Sequence, residues 1–302
     1  MSAGESTGEI IKSLAVNVVI AVAKGVAAVI SGSGAMLAET LHSFADCGNQ
    51  LLLLRGVRET RRPADKEHPF GYGRSLYFYS FIVALLLFFG GGVFSIHEGI
   101  SKVLEPSEPG GLTLSLVILL FSLALEGWSW LGNIREVNHR RGATPFVAYL
   151  RQTKDSDLMV VLGENTAAVL GLVFALAALV LAKLTGDGRW DGFGSLAIGL
   201  VLVGVASFLA REVNSLLVGE AADPALHAIL EKCALDDPDV DRVLNVLTLQ
   251  QGPGEILVAM KLEMRAGMPT AELVEAINRF ERAVKAQAPE VKWSFIEPDN
   301  AA

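Results

Sequence analysis

An α-helical membrane domain of six transmembrane helices, followed by a cytosolic ferredoxin-like α+β domain, is the fold class that three observations predict. Apolar residues make up 51% of the 302, with only 19% charged, and they fall in runs of about 20, the length needed to cross a bilayer core. Mean hydropathy is +0.43, high for a soluble chain. Basic residues collect in every second connection between those runs. From about Glu220 the long runs stop and short alternating and helical patterns replace them. Residues 1–217 are therefore read as the membrane domain and 218–302 as a soluble one.

The six spans run roughly over 10–30, 34–54, 76–101, 112–134, 158–184 and 193–217. A charge-free SGSG turn separates the first two. The next connection, RGVRETRRPADKEHPFGYGR, holds Arg55, Arg58, Arg61, Arg62, Lys66 and Arg74, and the one between spans four and five holds Arg135, Arg140, Arg141, Arg151 and Lys154. The remaining two carry only Lys102 in one, and Lys183 and Arg189 in the other. By the positive-inside rule the basic connections face the cytoplasm, which places both termini there and agrees with an even number of spans. Residues 1–9 are polar and acidic without a basic n-region, so no cleaved leader is expected; for a prokaryote the inner membrane is the expected location.

The soluble part carries the acidity: from Val218 onward there are 15 Asp/Glu against 8 Lys/Arg, which argues against nucleic acid as a partner. DPALHAILEKCAL reads as a helix with Asp223 as N-cap and Pro224 at its first position. VDRVLNVLTLQ and EILVAMKLEM read as strands joined by QGPG, with Ile256, Val258, Met260, Leu262 and Met264 on one face. TAELVEAINRFERAVKA follows, with an apolar stripe of Leu273, Val274, Ile277, Phe280 and Val284, and VKWSFIEP supplies a last strand. The order αββαβ suggests a two-layer domain of about 80 residues.

Chemistry concentrates in AMLAETLHSFADCGNQLLLL, where His42, Asp46 and Asn49 stand at i, i+4 and i+7 and so on one side of a helix. An ionisable group inside an apolar span is expensive and marks function by default. An imidazole and a carboxylate one turn apart offer two ligands for a divalent cation, and both also bind protons, so metal and proton compete for the same atoms. The alternative is a buried polar pair that ties two helices together. Segment five places Glu164 and Asn165 near its cytoplasmic third, and Glu164 completes a site if that helix packs on segment two; otherwise it is solvated at the membrane surface. Gly163, Ala167, Ala168 and Gly171 would permit the close approach.

SGSGAMLAETLHSFADCGNQLLLL, the HPFGYGR ahead of the third apolar run, and ENTAAVLG in the fifth resemble the cation diffusion facilitator family of zinc and related metal transporters. The likeness covers nearly the whole chain and is strongest to the subgroup with a Glu-Asp or Glu-Asn pair before Thr-Ala-Ala. It implies a homodimer, a tetrahedral transport site between helices two and five, alternating access and proton antiport. Carried over, His42 and Asp46 match the two ligands of the second helix and Glu164 the downstream ligand of the fifth. Many members place another ligand where this chain has Val160, leaving Asn49, Asn165 or water as the fourth. Nitrogen and carboxylate ligands favour zinc, whereas amide oxygen and water suit harder ions such as manganese; cobalt and iron are further candidate ions. Some relatives hold a second metal in the loop after helix two, where Asp65 and His68 match two positions and Tyr72 stands at the third.

The remaining polar residues carry blander expectations. Glu126 either lines the pathway or bonds between helices, Asn17 forms an interhelical hydrogen bond, and Lys24 snorkels. His97 and Glu98 sit on a hydrated rim, and Gly90, Gly91 and Gly92 make a kink or packing crevice. Cys47 points about 100° away from Asp46 and stays outside the site. The soluble domain has only His227, so dimerisation without bound metal is its expected role. Neither an HExxH nor a Ser-His-Asp set is present, which leaves a membrane metalloenzyme as the weaker reading against a transporter of divalent metal.

Overall fold

The structure, a computed structural model, describes residues 3–106, 112–153 and 156–300. Lys154, one of the basic-loop residues, lies outside them. Two compact units divide the chain. One comprises Met1–Arg58, Phe78–Arg151 and Ser156–Val213, and the other Glu59–Tyr77, Gln152–Asp155 and Asn214–Ala302. The connection after the second helix therefore clusters with the C-terminal residues.

The helical unit is built on α1 (Ala3–Ser31), α2 (Gly34–Thr60), α3 (Ser75–Leu86), α4 (Phe94–Leu104), α5 (Leu112–Arg141), α6 (Phe146–Gln152), α7 (Ser156–Thr185) and α8 (Arg189–Val218). A π-helical stretch over Leu87–Val93 joins α3 to α4, so that Ser75–Leu104 runs as one helix. Among the described residues four helices are long and apolar enough to cross a membrane: Ser75–Leu104, Thr113–Arg141, Leu158–Thr185 and Arg189–Val218; Asn17–Ser31 is apolar but shorter. With 27 residues α2 has the length, and its polar side chains are what separate it from those four.

The start of α2 is fixed from a distance in sequence. Ser33 caps it, its Oγ accepting from the Met36 N–H at 3.1 Å, and the buried carboxylate of Asp191 at the opening of α8 accepts from Ser33 Oγ (2.5 Å), Gly34 N (2.6 Å) and Ala35 N (3.2 Å). A carboxylate at the positive end of a helix dipole, bonded to its free N–H groups, is a stabilising arrangement. Lys102 closes the same turn by donating to the Gly32 carbonyl at 2.5 Å.

The Gly90–Gly92 run lies within the π-helical stretch, and Gly91 and Gly92 form the packing crevice, against Leu202 and Val203 of α8, while Gly90 has nothing within 4 Å. Gly92 and Gly99 meet Gly199 and Gly192 of α8 so closely that the two backbones touch: a Cβ on Gly99 would lie 2.6 Å from the Leu196 nitrogen and 2.8 Å from the Gly192 carbonyl oxygen. Gly163, by contrast, packs against Leu209 and Val205 of α8, whereas Gly171 meets an α2 side chain, that of Glu39.

In the second unit α9 (Pro224–Asp236) opens with Asp223 accepting from Ala225 N at 2.8 Å, as its sequence predicts. The sheet is ordered β1 (Val240–Gly252), β2 (Glu255–Met264), β3 (Val291–Pro298); β1 and β2 are antiparallel, and β3 returns parallel to β2 after α10 (Thr270–Gln287). Ile256, Val258, Met260 and Leu262 alternate into a core with Leu226, Leu230, Phe280 and Val284. The α10 stripe differs from the sequence reading: Val274 is 52% exposed, Leu273 and Ile277 are half-buried, and Ala276 joins Phe280 and Val284 as the buried line. Arg279 clamps the α9–β1 corner, with ion pairs to Asp237 at 2.6 Å and Asp239 at 2.8 Å.

The backbone contact at Gly99 leads to a test by thermal unfolding in detergent. Gly99→Ala forces α4 and α8 apart and is expected to cost about 1–3 kcal/mol. Gly132→Ala in α5, where a Cβ meets nothing within 4 Å, is expected to be neutral or stabilising by about 0.5–1 kcal/mol. Equal midpoints for the two variants would contradict the close packing.

Candidate metal-transport site

Burial and hydrogen bonding fail to balance along the polar stripe on α2, as they also do at the separate hydroxyls of Ser80, Ser95 and Ser115. His42 is fully buried, yet among the described residues neither ring nitrogen has a hydrogen-bond partner; Asp46 Oδ1 and Asn49 Oδ1 are likewise buried and unpartnered there. His42 Nδ1 and Asp46 Oδ1 stand 3.6 Å apart, near enough to share an ion and too far to bond directly. Leaving such groups unsatisfied costs roughly 1–3 kcal/mol each, which a purely structural helix face would avoid.

From α7 comes Glu164, 8% exposed, whose Oε1 accepts from the Asn49 amide at 2.5 Å. That bond joins α7 to the α2 stripe and leaves the Asn49 carbonyl oxygen free. Asn165 turns elsewhere, its amide 3.5 Å from Ser129 Oγ on α5, and Trp130 Nε1 donates to Thr166 Oγ1 at 3.0 Å between the same two helices. Val160, one turn before Glu164, is buried and apolar. Among the described residues no three His, Cys, Asp or Glu side chains are already gathered around one point. The structure thus pairs His42 with Asp46 and Asn49 with Glu164. Cys47 is buried and free.

Lys24 overturns its sequence reading. Rather than snorkelling, its ammonium is fully buried and donates to Glu39 Oε2 at 3.2 Å, Ser43 Oγ at 2.9 Å and Glu126 Oε1 at 2.9 Å. One cation therefore ties α1, α2 and α5 together, and Glu126 forms an interhelical ion pair. Glu39 was not singled out from the sequence, although it stands three residues before His42 and so extends the same stripe. Asp191 was missed too, because its partners lie more than 150 residues away.

In the loop after α2, within the C-terminal unit, Asp65 and His68 come within 3.6 Å of each other. Asp65 is already engaged, however: Oδ1 accepts from the Glu67 and His68 N–H groups at 2.9 and 2.7 Å, and Oδ2 from the Tyr72 hydroxyl at 2.6 Å. The Tyr72 hydroxyl, then the His68 amide, hold the Asp65 carboxyl below its usual range, while the same bond pushes the Tyr72 phenol up. Arg62 lies over the Tyr72 ring at 4.1 Å. The motif's glycine has a steric cause, since a Cβ on Gly73 would strike the Gln251 carbonyl and Gly252 at the β1–β2 turn.

Comparison with known proteins places this geometry in a family. The cation efflux transmembrane domain matches residues 10–218. The proton-coupled zinc antiporter SLC30A9, mitochondrial, of Xenopus laevis is 32% identical over 249 residues, 82% of this chain and 44% of that protein. Metal tolerance protein C4 of Arabidopsis thaliana is 31% identical over 84% of the chain and 56% of its own length. The cation-efflux pump FieF of Pectobacterium atrosepticum is 24% identical over 92% and 88%. The chain thus spans about half the length of the first two. With more than two thirds of its residues inside the matched domain, and with the α2 stripe and Glu164 within that span, the chain belongs to the cation diffusion facilitator family of membrane transporters.

Proposed function

We propose that the chain is a secondary-active exporter of divalent metal cations, zinc first and manganese, cobalt or iron after it, that exchanges metal for protons. The observation that carries this reading is the unpaired set on α2: both nitrogens of His42, Asp46 Oδ1 and Asn49 Oδ1, buried and one hydrogen bond from Glu164. Imidazole with two carboxylates suits zinc, and the amide oxygen of Asn49 fills the coordination place that Val160 leaves vacant. Asn49 is favoured over Asn165 because it faces Glu164 whereas Asn165 reaches towards α5. The printed names of the relatives, a proton-coupled zinc antiporter among them, point the same way.

On this reading the metal enters when His42, Asp46 and Glu164 are free of protons, and protons taken up after release restore the starting state. Rotation of Asn49 away from Glu164 lets the α7 carboxylate swing to the α2 pair, so that assembly of the site and loading of the metal are one event. Six spans, formed by α1, α2, the α3–α4 helix, α5, α7 and α8, with both termini in the cytoplasm, accommodate the basic connections.

The αββαβ domain serves as a dimerisation module. In support, Leu247, Ala259 and Phe295 lie in register across the three strands, and Leu247 and Phe295 are 61% and 55% exposed. The neighbouring Trp293 is met edge-on by Phe70 at 5.5 Å, so the loop covers one part of that face and leaves this row for a second copy. The saturated oxygens of Asp65 favour a loop cap there over a second metal site.

Proteoliposomes with an imposed pH gradient test the reading. Gradient-driven uptake of zinc is expected in the wild type, with Asp46→Ala or Glu164→Ala reducing it by more than about 100-fold, beyond the cost of losing a merely supporting partner. Uptake that survives Asp46→Ala would sink the assignment. Because proton and metal share ligand atoms, acidifying the metal-loading side is expected to raise KM for zinc while the maximal rate holds. A fall in maximal rate at constant KM would mean that the protons act at some other group.

A further inference from the structure

We infer that Glu39, Ser43 and Glu126 form a second divalent-cation site on the transport path, and that the Lys24 ammonium occupies it whenever no metal does. The inference rests on the exporter reading above. Its observations are separate from those of the ligand set: three acceptors from two helices surround one fully buried ammonium, and Glu39 Oε1 and Glu126 Oε2 remain buried without a hydrogen-bond partner.

Charge makes the case against simple helix glue. An ammonium has three N–H donors and one positive charge, and a single carboxylate would neutralise it. Here two carboxylates converge, leaving one negative charge in excess and two oxygens idle in an apolar bundle, where unpaired polar atoms are costly. A divalent ion between the same carboxylates and the Ser43 hydroxyl would balance their charge in full once the displaced Lys24 ammonium has swung out of the cluster. Lysine suits the part of a displaceable stand-in because its compact ammonium rides on a flexible four-carbon stem.

Position and donor type then fix the role. Glu39, Ser43, Asp46 and Asn49 fall on one stripe of α2, and Glu39 lies towards the Gly34 end, roughly 10 Å along the helix from Asp46 at 1.5 Å per residue. On the orientation proposed above that is the side away from the cytoplasm, where an exported ion leaves. All three donors are oxygens without imidazole, so zinc is held less firmly than at His42, as a release point requires. The carboxylate of Glu39 also rests on Gly171 of α7, so the second site adjoins the helix that carries Glu164.

Zinc bound per chain, measured on the purified full-length protein after equilibrium dialysis, tests this directly. Lys24→Met removes the stand-in and is expected to bind one zinc more than the wild type, and Lys24→Met/Glu39→Gln is expected to lose that extra ion. In proteoliposomes Lys24→Met then holds zinc on the path, lowering the maximal rate about tenfold or more without raising KM. A folded Lys24→Met protein with wild-type stoichiometry overturns the inference. Should Lys24→Met fail to fold, Glu39→Gln alone decides: a reduced maximal rate at unchanged KM supports the site, and an unchanged rate overturns it. Wild-type zinc binding that persists in His42→Ala/Asp46→Ala would strike instead at the ligand assignment on which the inference rests.

Discussion

A hydrogen-bonding or charged side chain placed inside an apolar helix bundle must find a partner, because no water is there to supply one. That constraint organises the helical unit. Lys24 reaches across three helices to be satisfied, Asp191 accepts the free N–H groups of a helix far from it in sequence, and Trp130 finds Thr166. Among the described residues the idle atoms of His42, Asp46 and Asn49 differ from the isolated idle hydroxyls of Ser80, Ser95 and Ser115 in lying together. They share a stripe, and Glu164 is one hydrogen bond away.

The polar and the glycine contacts hold the helices together differently. Interhelical hydrogen bonds in membrane proteins are worth only about 0.6 kcal/mol on average, because their groups find other partners when the first is lost. The bond from Asn49 to Glu164 can therefore be exchanged for another partner at small cost. Gly92 and Gly99 against Gly199 and Gly192 allow no such exchange, since backbone atoms touch and separation forfeits dense packing with no substitute. The α4–α8 pair is built to stay together, while the polar face of α2 is built to change partners.

Much of this was legible in the sequence. Spacing alone put His42, Asp46 and Asn49 on one face, because helical period needs no knowledge of neighbours, and the alternation of Ile256, Val258, Met260 and Leu262 gave the core face of β2 by the same logic. What could not be read was pairing between helices. Lys24 looked like a snorkelling amine because its depth relative to Glu39 and Glu126 depends on how α1, α2 and α5 are staggered, which no local pattern states. Asp191 failed to register for the same reason. Val274 was placed in the core by hydrophobicity, and the true stripe gives that place to the smaller Ala276.

Charge accounting along α2 joins these strands. Glu39, Asp46, Glu126 and Glu164 are four carboxylates around one stripe, with Lys24 as the ammonium among them. A bundle with so little permanent counter-charge cannot hold all four ionised unless mobile cations join them, and the mobile cations a transporter has at hand are metal ions and protons. On the exporter reading proposed above, the shortage of lysines and arginines in the helices is a working feature: added fixed positive charge would satisfy the carboxylates permanently and leave nothing for a cargo to neutralise. On the same reading, one lysine on a flexible stem, at one end of the stripe, ties the helices together and gives up its place to a divalent ion.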